Sequence, residues 1–145
     1  MVYLIILHTL AATVWVGGHL ILSFVILPEA WKKKDHLMIS AFETRFEKIG
    51  IPALLIQVIT GIWMSSLYLP VNKWLSFSDT TSSLIGTKLI LLALTVLLAI
   101  HARFFIIPKL SAKSIPLLAS HIFLVTFIGI LFLTVGLSFR LGFLF

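Results

Sequence analysis

The stretch HTLAATVWVGGHL, from His8 to Leu20, lies inside the first long apolar block of the chain. Helical spacing of about 3.6 residues per turn places His8, Trp15 and His19 on one stripe, because residues seven and eleven positions apart return to nearly the same direction. The two imidazoles are about 16 Å apart along the helix axis, at ~1.5 Å per residue, so they cannot ligate one small ion. The stripe therefore marks two depths in one helix.

Histidines at these depths have a functional and a structural interpretation. A polar group in hydrocarbon costs several kcal/mol unless it is paired, ligated or hydrated, so intramembrane histidines are functional candidates. An imidazole near a helix end can also simply bond to a neighbouring carbonyl or to water. Small residues in the same stretch let a neighbouring helix or a flat ligand come close, and they are Ala11, Ala12, Gly17 and Gly18.

The composition around this stretch is that of an integral membrane protein. Of 145 residues, 60% are hydrophobic and 11% are charged, which is too apolar for an ordinary soluble domain. Four segments, about 2–27, 48–69, 84–107 and 115–143, are near or above the ~20 residues that cross a bilayer. We read the first as a retained helix rather than a signal peptide. The expected fold is an all-α, four-transmembrane-helix up-down bundle forming a single domain, 1–145.

Prolines and basic residues give the expected ends and orientation of these segments. Pro28, Pro70 and Pro108 are expected to close the first three helices, because proline lacks an amide donor. Lysine and arginine are concentrated after the first and third segments and are sparse on the other side, which predicts a multi-pass protein of the cytoplasmic membrane with both termini external. The net charge of +6 is explained by topology and anionic lipid, and no nucleic-acid partner is expected.

The chain has no cysteine and three methionines, which excludes disulfides and thiolate metal sites. Any metal chemistry must therefore depend on histidine. The candidate metal ligands within the segments are His8, His19, His101 and His121.

Each predicted helix also has a face of small or polar residues, as helix-facing surfaces in membranes do. The members are Gln57, Thr60, Gly61, Met64 and Tyr68 in the second helix; Lys88, Thr95 and Ala99 in the third; and Ala119, Thr126 and Arg140 in the fourth. Small-residue packing accounts for most of them. It does not account for Lys88, whose ammonium needs a partner or a route to the surface.

Sorting these residues by depth gives two layers. The inner layer, toward the predicted cytoplasmic side, contains His19, His101 and His121, and the outer layer contains His8, Met64, Lys88 and Arg140. His101 is about 140° from Lys88 around the third helix, so we expect it at the contact with the fourth helix, close to His121.

Two imidazoles that face each other across a four-helix bundle form the usual site for b-type haem. The inner layer offers three candidates for two axial positions. In the outer layer, His8 could be an axial ligand with Met64 or Lys88 opposite, or Lys88 and Arg140 could hold an anion such as a propionate. All of these alternatives remain open from the residues alone.

With these residues in view, the chain resembles the CopD-like superfamily of small membrane proteins. The resemblance lies in H-x6-W-x-G-G from His8 to Gly18, in RFEKIGIPALLIQVITGIWM from Arg45 to Met64, and in GTKLILLALTVLLAIHARFFIIPKL from Gly86 to Leu110. The superfamily includes copper-resistance D proteins, implicated in copper import, and HemJ-type protoporphyrinogen oxidases, which bind haem. The resemblance implies that His8 and Lys88 match positions that the HemJ-type proteins carry. After the first helix those oxidases read like LPRLFVYH, where this chain reads LPEAWKKKD.

Three functional hypotheses follow. The first is a b-type haem protein of the cytoplasmic membrane that passes electrons, with quinone or a redox protein as partner, and a haem-dependent membrane oxidoreductase is one form of it. The second is a copper-binding or copper-transport protein, with His8 and Met64 as the entry site. The third is a non-catalytic structural or assembly subunit. A homo-oligomer is compatible with each.

Overall fold

The computed structural model describes residues 1–144 of the chain, and Phe145, the last residue of the predicted domain, lies outside the described residues. Four helices are long and apolar enough to cross a membrane: α1 (Val2–Lys33), α2 (His36–Tyr68), α3 (Thr80–Lys109) and α4 (Ala112–Leu141). No strand occurs among the residues described. The protein is an all-helical membrane bundle, as the apolar segments predicted.

The first helix does not end at Pro28, and that expectation is wrong. An α-helical stretch, Val2–Ile21, continues through a π-helical turn, Leu22–Ile26, into a second α-helical stretch, Leu27–Lys33. Pro28 lies in the first turn of that second stretch, where the amide that proline lacks is not needed for the α-helical pattern. The wider turn thus lets the helix continue beyond the proline, and α1 ends at Lys33; the next residue, Lys34, has a left-handed φ of 54°.

The second helix begins at His36, twelve residues before the apolar segment predicted from residue 48. The Asp35 side chain caps it by accepting a hydrogen bond from the amide of Leu37 at 2.9 Å. The helix contains Pro52 and ends at Tyr68, just before Pro70 as expected.

The third helix starts at a capping box. The Asp79 carboxylate accepts a hydrogen bond from the Ser82 amide, and the Ser82 hydroxyl lies 3.1 Å from the amide of Asp79. The backbone hydrogen bond from Ser82 lowers the pKa of the Asp79 carboxyl below its ordinary value. Near the other end, a π-helical turn, Ala102–Ile106, leads into a short turn that contains Pro108.

The four helices do not all pack against one another. Helix α1 packs against α2 and α4, and α3 packs mainly against α4. Helices α2 and α3 are not among the closely packed pairs; they are linked by an ion pair in which Arg103 Nη1 lies 3.0 Å from Glu47 Oε1. A cleft between α2 and α3 follows from this arrangement.

Two ends of the bundle can be distinguished. We call the end that holds Met1, Leu141 and the loop between α2 and α3 the terminal end, and the end that holds the other two connections the opposite end. A cluster of buried apolar side chains fills the opposite end, and its members are Leu22, Leu27, Ala30, Ile39, Ile106, Ile115, Leu118, Ala119 and Ile122. The terminal end contains a cavity instead.

Candidate functional site

The cavity at the terminal end has a volume of about 320 Å³ and is lined by all four helices. This volume is within the range of about 300–1,000 Å³ that small-molecule sites occupy. The lining is mostly apolar, with a few polar side chains among which are His8, Gln57, Lys88 and Arg140. A site of this composition suits an apolar ligand with a small number of polar groups.

Thr60 determines which nitrogen of His8 carries the proton. His8 Nδ1 lies 2.8 Å from Thr60 Oγ1, and Thr60 Oγ1 donates to the carbonyl of Ile56 at 2.6 Å. Because a hydroxyl has a single hydrogen, the Thr60 oxygen is then an acceptor and His8 Nδ1 is the donor. His8 Nε2 therefore has a free lone pair, which can ligate a metal ion or accept a proton.

Helix α2 comes close to His8 at a glycine. A methyl group added at Gly61 would lie 3.3 Å from His8 Cε1, which is closer than most carbon contacts. One turn earlier, the Gln57 side chain donates to the carbonyl of Ala11 at 3.4 Å. These contacts hold the half-buried imidazole between α1 and α2.

The opposite wall of the cavity carries two basic side chains. Lys88 Nζ lies 5.4 Å from the centre of the Phe139 ring, within the range of a cation–π contact. A methyl group at Gly136 would lie 3.4 Å from Lys88 Nζ, so this glycine makes room for the ammonium. Arg140 also lines the cavity, whereas no Asp or Glu does so in the part of the chain described.

The loop between α2 and α3 contributes to the cavity through Trp74. Its indole nitrogen donates to the carbonyl of Leu69 at 2.9 Å, and its side chain lines the cavity. The structure turns it back toward the bundle, because its N–H finds a partner in the carbonyl at the end of α2.

His19 lies in the interior, in a different environment from His8. Its Nδ1 donates to the carbonyl of Trp15 at 2.8 Å, and its ring packs between Trp15 and Phe46 at centroid distances of 4.5 and 5.6 Å. The hydrogen bond to Trp15 follows the usual i to i−4 geometry of a helix. Among residues 1–144, no other imidazole is hydrogen-bonded to the His19 ring.

His101 and His121 lie together at the contact of α3 and α4, as expected from their position around the helix. His101 Nδ1 is 2.9 Å from His121 Nε2, and the rings are nearly parallel at 12° with centroids 4.9 Å apart. The pair is on the exposed side of the contact. The two imidazoles thus contact each other directly on this side of α3 and α4 and do not face each other across the bundle interior.

The residues of the predicted outer layer lie together around one cavity, whereas those of the predicted inner layer lie in two separate places, with His19 apart from His101 and His121. His8, Met64, Lys88 and Arg140 all line the cavity. Within residues 1–144, no group of three or more His, Asp or Glu side chains is close enough to hold a metal ion. Of the interior faces, Thr95 and Thr126 are buried, but Ala99 is exposed.

Sequence reasoning missed three contributors to the cavity: Trp74, Gly136 and Phe139. Phe139 and Gly136 lie near Arg140 on α4, so helical spacing could have identified them. Trp74 is in a loop and has no periodic signal.

The comparison with protein families gives one match over most of the chain. The family described as copper resistance protein D (CopD) matches residues 40–139, which include α3 and nearly all of α2. No curated protein and no solved structure matches the chain.

Proposed function

This chain belongs to the copper resistance protein D family, and we propose that it is a membrane redox protein that binds b-type haem in the cavity around His8. Quinol or a small redox protein is the proposed electron partner. The cytoplasmic membrane is its proposed location.

The observation that carries the proposal is the charge of the cavity. Lys88 and Arg140 contribute positive charge to an apolar cavity that no carboxylate lines within the described chain. A buried charge without a partner is costly, so a ligand with an anionic group would provide the missing partner. The positive charges of the two side chains also repel a bare metal cation.

The residues of the cavity fit haem in donor chemistry. His8 Nε2 would ligate the haem iron, and the Nδ1–H bond of the same ring to Thr60 is the kind of outer hydrogen bond that orients a ligating imidazole. Lys88 and Arg140 would hold the carboxylates of the group by charge-assisted hydrogen bonds. Bound haem would supply a one-electron carrier inside the bilayer.

The other histidines do not fit a bis-histidine haem site. His101 and His121 contact each other directly, with 2.9 Å between the two nitrogens, which leaves no space for an iron atom and a macrocycle between them. His19 uses one nitrogen for the Trp15 carbonyl and packs against Phe46. This supports His8 as the haem-binding histidine of the chain.

Copper handling is the second candidate function, and family membership is the observation that favours it. His8 and Met64 both line the cavity, and imidazole with thioether is a suitable donor pair for copper. Copper would here be cargo. The positive charge of Lys88 and Arg140 counts against this candidate.

The deciding experiment is an absorption spectrum with metal analysis on protein purified without a histidine tag from haem-replete cells. We expect Soret and α bands and about one iron per chain for a single haem. His8→Ala should lose the bands, and Lys88→Met, which keeps length and apolar bulk, should reduce haem occupancy. Lys109→Met, outside the cavity, is the matched control.

Each other result has a defined meaning. Absence of Soret bands, or full haem occupancy in His8→Ala, would overturn the haem proposal. Copper that depends on His8 in place of iron would support the second candidate. Protein with neither metal would indicate a structural or assembly subunit.

A further inference from the structure

A second, smaller pocket lies at the opposite end, where the turn after α1 meets the start of α4. Its volume is about 260 Å³. Its lining residues are Trp31, Lys34, Ala112, Lys113, Ile115 and Pro116. We propose that this pocket binds the headgroup of an anionic phospholipid, with the phosphate between Lys34 and Lys113. The proposal does not depend on the cavity around His8.

Two hydrogen-bonded turns hold the lysines of the pocket. Lys34 follows α1 with a left-handed φ of 54°, and its amide donates to the carbonyl of Trp31 at 3.2 Å. Lys113 lies in a short turn that Ser111 and Ser114 close through a capping box. The backbone thus fixes where each lysine side chain begins, which lowers the ordering cost of binding an anion between the two.

The pocket is positively charged and lacks an acidic partner. Within the described chain, no Asp or Glu lines it, and neither of its lysines forms an ion pair. Glu29 is paired with Lys33 at 2.6 Å, and the Asp35 carboxylate caps α2, so the acids on this turn have other partners. A phosphate diester would supply the missing negative charge, whereas the ammonium of a zwitterionic headgroup would be repelled by the lysines.

An apolar seam between α1 and α4 leads from the pocket toward the middle of the bundle and fits an acyl chain. Phe24 of α1 and Phe123 of α4 contact each other at a centroid distance of 6.5 Å, and both are exposed. Trp31 and Pro116 lie seven residues from them toward the opposite end, so each is on nearly the same face of its helix. A lipid held by its phosphate would therefore place a chain along the two phenylalanines. Trp31 would then lie at the level of the headgroups, where tryptophan is enriched in membrane proteins.

The test is native mass spectrometry of the full-length chain in detergent, with ammonium acetate at about 0.15 M to screen distant charges. The chain is titrated with phosphatidylglycerol or with phosphatidylcholine that has the same acyl chains. We expect one phosphatidylglycerol to bind at concentrations where phosphatidylcholine does not. The double variant Lys34→Gln, Lys113→Gln should bind it about 25-fold more weakly, because each lysine near an anionic headgroup contributes about fivefold.

A matched control separates this pocket from the general charge of the basic residues around it. The double variant Lys32→Gln, Lys109→Gln removes the same charge from the same end, outside the pocket, and should weaken binding by less than about threefold because salt screens these charges. All four lysines are exposed, so both double variants should fold.

Three results would overturn the proposal. Equal binding of the two lipids would show that the phosphate charge is not recognised. Equal affinities of the two double variants would show a diffuse attraction rather than a site. Displacement of phosphatidylglycerol by an equal concentration of inorganic phosphate would indicate a site for free phosphate, because phosphate has no chain to place along Phe24 and Phe123.

Discussion

Thr60 joins α1 to α2 through a single oxygen atom, which accepts from His8 and donates to the backbone of its own helix. The residue is 3% exposed, so water does not compete for these bonds. A threonine in this position has two effects. It satisfies an imidazole N–H in an apolar environment, and it leaves Nε2 of the neutral ring without a proton.

We predict that Thr60→Val, which keeps the shape and removes the hydroxyl, will destabilise the protein by about 1 kcal/mol, because a buried N–H of His8 loses its acceptor. The measurement is the midpoint of unfolding in detergent. Thr60→Ser keeps the oxygen and is the matched control. A midpoint in Thr60→Val equal to that of the parent would mean that His8 finds another acceptor.

Helices α1 and α2 are in close contact where the Phe46 ring of α2 meets Gly18 of α1. The Phe46 ring lies directly over Gly18, in the space that a methyl group would need, and it also packs against Phe42 at a centroid distance of 5.7 Å. The adjacent Gly17 has no atom within 4 Å of that position. Two consecutive glycines thus have different roles, because only one of them faces α2.

Gly18→Ala should therefore push Phe46 out of place and destabilise the α1–α2 contact by about 1–3 kcal/mol, the usual cost of overpacking. Gly17→Ala adds the same methyl group in open space and should be neutral or slightly stabilising, since alanine favours a helix over glycine. Unfolding midpoints of the two variants, measured side by side, check this. Equal midpoints would contradict the close packing of Phe46 on Gly18.

The distribution of basic residues concerns the whole molecule. Lys32, Lys33 and Lys34 lie at the junction of α1 and α2, and Lys109 and Lys113 lie at the junction of α3 and α4. By contrast, the loop between α2 and α3 has only Lys73. The opposite end is therefore the basic end, and we propose that it lies in the cytoplasm. The cavity around His8 would then face the exterior.

Fusions of a topology reporter test this orientation. We expect a reporter at Lys34 to read cytoplasmic, and reporters at Asn72 and after Phe145 to read external, because lysine-rich loops are retained inside. A cytoplasmic reading at Asn72 would reverse the protein in the membrane and place the cavity on the inner side. The distances within the cavity would not change.

The sequence alone determined the class of fold and the chemistry that the chain can use. Long apolar segments require helices in a bilayer, since every backbone group must be bonded within its own segment. Depth along a helix follows from ~1.5 Å per residue, so counting residues was enough to place His8, Lys88 and Arg140 in one layer. Local spacing also predicted that His101 would lie beside His121.

Only the tertiary structure decided which layer becomes a site. Rotation of each helix about its axis depends on packing with its neighbours, and residue counting does not supply it. For this reason His101 and His121 lie on the exposed side of the α3–α4 contact while His8 lines a cavity, although all three histidines lie within membrane-spanning segments. The continuation of α1 past Pro28 likewise depends on a π-helical turn, whose wider hydrogen bonding has no signature in the apolar pattern.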